Sequence, residues 1–595
     1  MRSFSCSKKM GVFCAFFVVL AYSLEIANCS PQSTTQFLDN YSVEPTRETY
    51  SRDYYYDYQD YQNEGTAGSL QNNAASSSSM QENFYSLFNW RERMSTSGIA
   101  NDTFFNGGQP LLQEIGETCP KREFFYGMNP RHRNAVLRLN QVLMEQSSPE
   151  GCLQIAGGLR DRDEVNPHAW LRAVISASIF RPDLQGLQKP PLVEIMPSMF
   201  VPGEILDELK ESSSEISTTA SSRRCIRVDG SYGEDNGAEN LVWYWREDVL
   251  LNSHHLYWHL SYPIRGERGT QDRAGELFYF MHHNMMARFH CERLSVGLPP
   301  VEPWDLRPGQ TIPYGYSPHL HDGNSGTNWS ARPPGVPISD LISDRPVSVR
   351  NRTIWLNRIL DGISEGRLID EYGRPVYLDN DEGINILGNT VQSNGFSVNP
   401  EFYGGNGIHN SGHRLLGAAL DPRLELGHPP GVMGEDATAM RDIVFYPYHE
   451  FMDNIFNSQK NRLPPYQLTQ GDWPLVLPGV ELHSLKIHSG DLPINTLNTF
   501  WSYKRYDLSR GLDFNRSSEG RGPLYACHQH LNHQDFEYEL EIERKDGSHH
   551  DTTATVRLFM GPRYDLKGRR YGLDEERHFM FIVDAFTVPR ERKKQ

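Results

Sequence analysis

Two histidine pairs at four-residue spacing, His255/His259 in "HHLYWH" and His409/His413 in "HNSGH", place the strongest constraint on this chain. Residues i and i+4 share one helix face, so each pair aims two imidazoles at one point. The chain has 22 histidines in 595 residues, and random placement would give roughly 0.8 such pairs. Spacing alone therefore does not separate a binding site from helix-surface coincidence. The context of each pair adds more. A further histidine follows in an aromatic-rich helical segment, His282 in "ELFYFMHH" and His449 in "FYPYHEF". Two sets of three, each a helical pair plus one later residue, suit the facing helices of a bundle whose core holds a metal.

The residue types narrow the metal. A zinc protease of the HExxH kind needs Glu after the first histidine as its general base, and neither pair has it. A facial-triad iron site needs a carboxylate ligand. Three neutral imidazoles per ion suit copper or zinc, and two such sets suggest a dinuclear centre.

The texture along the chain predicts separate domains. "HRNAVLRLNQVLMEQ" and "PHAWLRAVISASIF" repeat apolar residues at helical spacing, the second after Pro167, which suits a first helical position. Helical segments rich in histidine and aromatics continue to about residue 465. From about 470, "ELHSLKIHSG", "FEYELEIER" and "TTATVRLFMG" alternate in period two between Gly and Asp turns, as strands do. Helices first and strands last point to segregated domains. Residues 30–115, with the Asp/Tyr-rich "YSRDYYYDYQDYQNEG" and the polar "NNAASSSSMQEN", are expected to be disordered, because they offer little apolar surface to bury.

A net charge of -17 argues against general nucleic-acid binding, which needs a basic face. Arg2, Lys8 and Lys9 precede the 14-residue apolar run "GVFCAFFVVLAYSL", too short to span a bilayer and about right for a signal peptide. Cleavage is expected near Ala27 to Cys29, giving a soluble, secreted protein with no membrane partner. Cys119, Cys152, Cys225, Cys291 and Cys527 then remain, an odd number whose pairing the sequence leaves open. Sequons at Asn40, Asn101, Asn328, Asn351 and Asn515 are compatible with secretion and glycosylation.

Longer words now carry a resemblance. "YWREDVLLNSHHLYWHLSYP" and "RAGELFYFMHHNMMARFHCERL" resemble the first copper motif of the arthropod prophenoloxidase/hemocyanin superfamily. "HNSGHRLLGAALDP" with "GVMGEDATAMRDIVFYPYHEFMDNIF" resembles the second, and "LPGVELHSL", "LNTFWSY" and "DLSRGLDF" are similar to the family's C-terminal domain. The resemblance runs from about 120 to 588. It implies a multidomain α+β protein: a signal peptide at 1–29, a pro-region at 30–115, a helical N-terminal domain at 116–240, a helical-bundle dicopper domain at 241–465 and a C-terminal Ig-like β-sandwich at 466–595. Against the family the chain is short at its C-terminal end, so an incomplete sandwich is expected.

The resemblance also implies roles. One copper would be held by His255, His259 and His282, the other by His409, His413 and His449, with dioxygen bound between them. His254, His283 and His290 are read as supporting neighbours. Tyr257 stands where family phenoloxidases carry a non-ligand histidine. Those enzymes convert phenols and o-diphenols to o-quinones in melanin synthesis and innate immunity, whereas hemocyanins, the alternative, only carry oxygen. For the proton acceptor that phenol hydroxylation needs, register with the family points to His428, with Glu425 as the alternative. Family proenzymes cover their coppers with a phenylalanine of the N-terminal domain, here Phe125, with Phe124 beside it. They are activated by a trypsin-like protease, for which Arg47, Arg52, Arg91 and Arg93 are candidate sites. The expected partners are thus a phenolic small molecule, that protease, and further copies or relatives of the chain in a homo- or hetero-oligomer.

Overall fold

The computed structural model describes residues 5–7, 15–21, 74–91, 109–214, 225–228, 237–263, 272–380, 382–464, 480–514, 523–544 and 554–588. Its longer helices are α1 (Ala74–Ser86), α2 (Gln109–Thr118), α3 (Pro130–Met144), α4 (Pro149–Arg160), α5 (Pro167–Phe180), α6 (Gly203–Ser214), α7 (Val249–Ser261), α8 (Ala274–Ser295), α9 (Val349–Glu365), α10 (Gly383–Gln392), α11 (Ile408–Gly417) and α12 (Phe445–Lys460). The helix start read at Pro167 recurs in the fold. Asn129, Ser148 and Asn166 cap α3, α4 and α5 with side-chain oxygens, each followed by Pro at the first helical position.

Disorder up to residue 115 is corrected in part. The Ser-rich stretch forms α1, and the "FYSLFNW" that follows buries Phe84, Leu87 and Phe88. Phe88 and Trp90 pack edge-on against Trp170 of α5. Apolar residues at spacings of three and four let a polar helix dock by one end, which low average hydropathy conceals. The Asp/Tyr tract and Arg47, Arg52 and Arg93 lie outside the described residues, as do Asn40, Asn101 and Asn515. Asn328 and Asn351 are exposed, and Arg91 is half buried.

α7, α8, α11 and α12 carry the six histidines, and α9 and α10 back them. The packing is close enough to need glycine. A Cβ on Gly388 of α10 would stand 2.0 Å from the carbonyl oxygen of Gly275 in α8. Buried ion pairs tie the bundle together: Arg352–Asp305 (2.7 Å), Arg441–Glu247 (2.7 Å) and the bidentate Arg332–Asp442 (2.6 and 2.7 Å). No described helix is long and apolar enough to cross a membrane.

The C-terminal strands pair as the alternation predicts. Thr496–Asp507 runs antiparallel to Tyr525–His533, Val480–His488 to Glu537–Arg544, and Ala554–Gly561 to Phe581–Val588. Ile226–Val228, from the segment after α6, joins Tyr525–His533 in parallel, and there Cys225 and Cys527 form a disulfide. Cys119, Cys152 and Cys291 are buried and stand outside this disulfide. Within the expected signal segment, Ala15–Ala21 pairs antiparallel with Thr555–Gly561 and Ser5–Ser7 pairs in parallel with Thr496–Asn498.

Replacing Gly388 with Ala forces α8 and α10 apart, at an expected cost of about 3 kcal/mol. Thermal unfolding of the variant checks this; an unchanged midpoint would count against the close approach.

Candidate metal centre

The six histidines expected as ligands converge. All are between 0% and 8% exposed. The donor atoms of His255, His259 and His282 lie within 4.8 Å of one another, and so do those of His282, His409 and His449. His413 joins through His449, with Nε2 atoms 3.2 Å apart, and His259 Nε2 stands 3.1 Å from His255 Nε2. Two imidazole nitrogens bound at about 2.0 Å to one ion at a tetrahedral angle would be about 3.3 Å apart. The spacing thus fits a shared cation, and fits poorly to lone pairs left facing each other. The two sets meet through His282 and His449, whose rings stack at 4.7 Å.

Four of the six rings are aimed from behind. His255 Nδ1 donates to the Asp436 carbonyl (2.7 Å), His413 Nδ1 to the Met433 carbonyl (2.9 Å) and His282 Nδ1 to the Phe278 carbonyl (2.8 Å). His409 Nδ1 donates to Asn410 Oδ1 (3.0 Å). Holding the proton on Nδ1 leaves the Nε2 lone pair for a metal. The buried Nε2 atoms of His282 and His409 have no protein partner, nor does Nδ1 of His449. Phe445 stacks on His449 at 4.0 Å and meets His255 edge-on, and Phe278 lies against His282 and His409, so apolar walls close both sets.

"HNSGH" gains a reason for its glycine. A Cβ on Gly412 would fall 2.0 Å from the Tyr448 hydroxyl. That hydroxyl donates toward the carbonyls of Ile408 (2.7 Å) and His409 (2.9 Å), pinning α12 to the first turn of α11. The supporting neighbours behave as expected in two cases. His283 pairs with Asp453 and His290 with Glu450, both at 2.9 Å, and both pairs tie α8 to α12. His254 is exposed.

The two candidate proton acceptors are corrected. His428 and Glu425 are exposed on a loop whose backbone is gathered by the Asp421 carboxylate, which accepts from the N–H groups of both residues. Alignment by flanking words placed them near the site, but the loop turns outward through Leu424 and Gly427, both at positive φ. The carboxylate whose field reaches the histidines is Asp436, itself only half-buried. Burial alone would raise its pKa; His259, Arg172, His255 and Arg133 outweigh burial and hold it below the ordinary value. Its field also reaches His413. Its signal was present in "GVMGEDATAM", but nothing in the sequence distinguishes it from Glu435.

Phe125 is corrected as well. It is buried in the N-terminal core, stacked on His132 (5.2 Å) and His168 (6.1 Å) under the Arg172 guanidinium, and none of its ring contacts is to the six histidines. Phe124 packs edge-on against Trp329. The N-terminal domain meets the turn behind the histidines just beyond them. Gly127 N–H donates to Glu435 Oε2 (2.6 Å), Met128 N–H to the Gly434 carbonyl (2.9 Å), and Arg172 pairs with the fully buried Glu435.

Burial holds all six imidazoles below their usual pKa, His413 down to about 4 and His255, His282, His409 and His449 well below the ordinary value. A bundle core presenting six neutral imidazoles is the site of a metalloprotein for a borderline cation, copper or zinc.

Comparison with known proteins decides between them. The copper-containing domain of hemocyanin matches residues 191–456, and the ig-like domain of hemocyanin matches 471–592. Hemocyanin F chain of Aphonopelma sp. is 33% identical over 80% of this chain and 72% of its own length. Phenoloxidase 2 of Drosophila melanogaster is 34% identical over 77% of this chain and 66% of its own. A crustacean hemolymph-type prophenoloxidase superposes with a TM-score of 0.76 at 30% identity, covering 85% of this chain and 80% of that one. A scorpion hemocyanin superposes with a TM-score of 0.70 at 29% identity, covering 87% and 78%. The chain belongs to the hemocyanin/prophenoloxidase superfamily, and its central bundle is a copper domain.

The depressed pKa values set a pH dependence for the metal-free protein. The unfolded chain takes up protons below about 6.5, while the folded cage refuses them until near 4 at His413, with the other five imidazoles also held below their ordinary value by burial. Folding stability is therefore full above pH 6.5 and falls as pH drops, by about 1.4 kcal/mol per pH unit for each such imidazole. Denaturant titrations of metal-free protein at pH 7.5, 6 and 5 measure the slope; stability flat across that range would contradict the neutral cage.

Proposed function

We propose that the chain is the precursor of a secreted copper phenoloxidase. It would hold two coppers, one by His255, His259 and His282 and one by His409, His413 and His449, and oxidise phenols and o-diphenols to o-quinones with dioxygen. Dioxygen binding and the two-electron oxidation are what the copper pair supplies when bound. The chain's own part is to keep six imidazoles neutral, to fix the tautomers of His255, His282 and His413 through backbone carbonyls and to wall off water with Phe278 and Phe445. A role in melanin formation and defence, and activation by a trypsin-like protease, are part of this reading, supported by the relatives named phenoloxidase.

The observation that favours catalysis over carriage is Asp436. A carboxylate kept ionised beside one ligand pair, within the field of the other, can accept the hydrogen bond of a phenol entering the centre. Its low pKa suits it to orienting the phenol more than to storing the proton. The enclosure of all six imidazoles suits a latent precursor. The same enclosure supports the second reading, an oxygen carrier, as do the relatives named hemocyanin, several of them subunits.

Full-length protein loaded with copper, before and after limited trypsin treatment, is assayed with tyramine and dopamine. Quinone formation after cleavage is expected. An oxygen-dependent near-ultraviolet band that reverses on deoxygenation, with no quinone from either phenol, would establish the carrier instead. Asp436→Asn should keep its copper and lose roughly 100-fold in kcat on tyramine; undiminished turnover would remove Asp436 from the reaction.

A further inference from the structure

The C-terminal domain sends one strand, Tyr525–His533, down to the copper domain, and its buried face reads Ala526, His528, His530. His530 Nδ1 donates to Asp248 Oδ2 at 2.7 Å across 282 residues of sequence, with both side chains buried. Asp248 is the N-cap of α7, and its other oxygen accepts from the N–H groups of Leu250 (2.8 Å) and Leu251 (2.9 Å). α7 is the helix that carries His255 and His259. One carboxylate is thus divided between the start of the first-pair helix and a histidine of another domain. The strand is fixed close by, because Cys527 is bonded to Cys225 and Ile226–Val228 pairs alongside Ala526–His528. Tyr506 packs edge-on against the His528 and His530 rings, which restricts where His530 can point.

We propose that His530 is a positioning residue for the first metal set, holding the Asp248 cap and through it the axial placement of His255 and His259. The second set has no such link, since α11 starts at Gly407 without a side-chain cap and α12 starts at Val444 without one. An N-cap side chain fixes the first turn of its helix, and donors two turns on move with that turn. Through this cap the C-terminal domain acts on the first metal set.

This inference rests on the two-copper reading, and the test separates them. Copper release into a chelator is followed by atomic absorption in the full chain, in a His413→Ala background that keeps the first set, and in a His259→Ala background that keeps the second. His530→Leu should speed release about tenfold in the His413→Ala background and leave it unchanged in the His259→Ala background. His530→Asn, whose amide can still donate to Asp248, should restore the slow rate. Equal acceleration in both backgrounds would mean general destabilisation and overturn the proposal, as would no acceleration in either. Fewer than two coppers in the parent chain would instead overturn the two-copper reading.

Discussion

Two backbone carbonyls three residues apart, those of Met433 and Asp436, hold the Nδ1 protons of His413 and His255. One short turn therefore orients a donor from each metal set. The turn is held from outside by Glu435, whose carboxylate takes Gly127 N–H and the Arg172 guanidinium from the N-terminal domain. Breaking one partner of so deeply buried a pair leaves an uncompensated charge, typically a loss of about 3–5 kcal/mol. The geometry of the cage is in this sense a property of two domains meeting.

Six neutral imidazoles packed together are a poor way to fill a bundle core. Their ring nitrogens crowd together, and three of them lack any protein partner. Apolar residues in those places would fold more comfortably. The arrangement makes physical sense as a receptor for cations, with the cost of ordering it met when metal binds. The His283–Asp453 and His290–Glu450 pairs and the Tyr448 hydroxyl keep α8, α11 and α12 in register whatever occupies the centre.

The sequence made the helical–strand division and the six converging histidines legible, because periodicity and i, i+4 geometry are local properties. It did not make visible what lies behind each ring. Carbonyl partners such as those of Met433 and Phe278 have no side-chain signature, and the outward turn at Leu424 and Gly427 moved His428 and Glu425 away from where flanking words placed them. Phe125 looked like a cover because of its neighbours in sequence, yet its ring is taken up by His132 and His168. α1 was hidden by its serines, since the three aromatic and aliphatic residues that dock it come at its end.

Gly412 and Tyr448 bear on how such a chain can change over generations. The hydroxyl fills the space a Cβ would need, so neither residue can be exchanged alone without harm: a side chain at 412 collides with the ring, and a smaller residue at 448 leaves a void and frees the carbonyls of Ile408 and His409. The two positions are sterically coupled, each limiting what the other can become. A descendant lineage that drifts at either one loses the alignment of α11 with α12 first. Its second metal set would then decay while the first, supported by other residues, still stands, leaving a protein with half a centre.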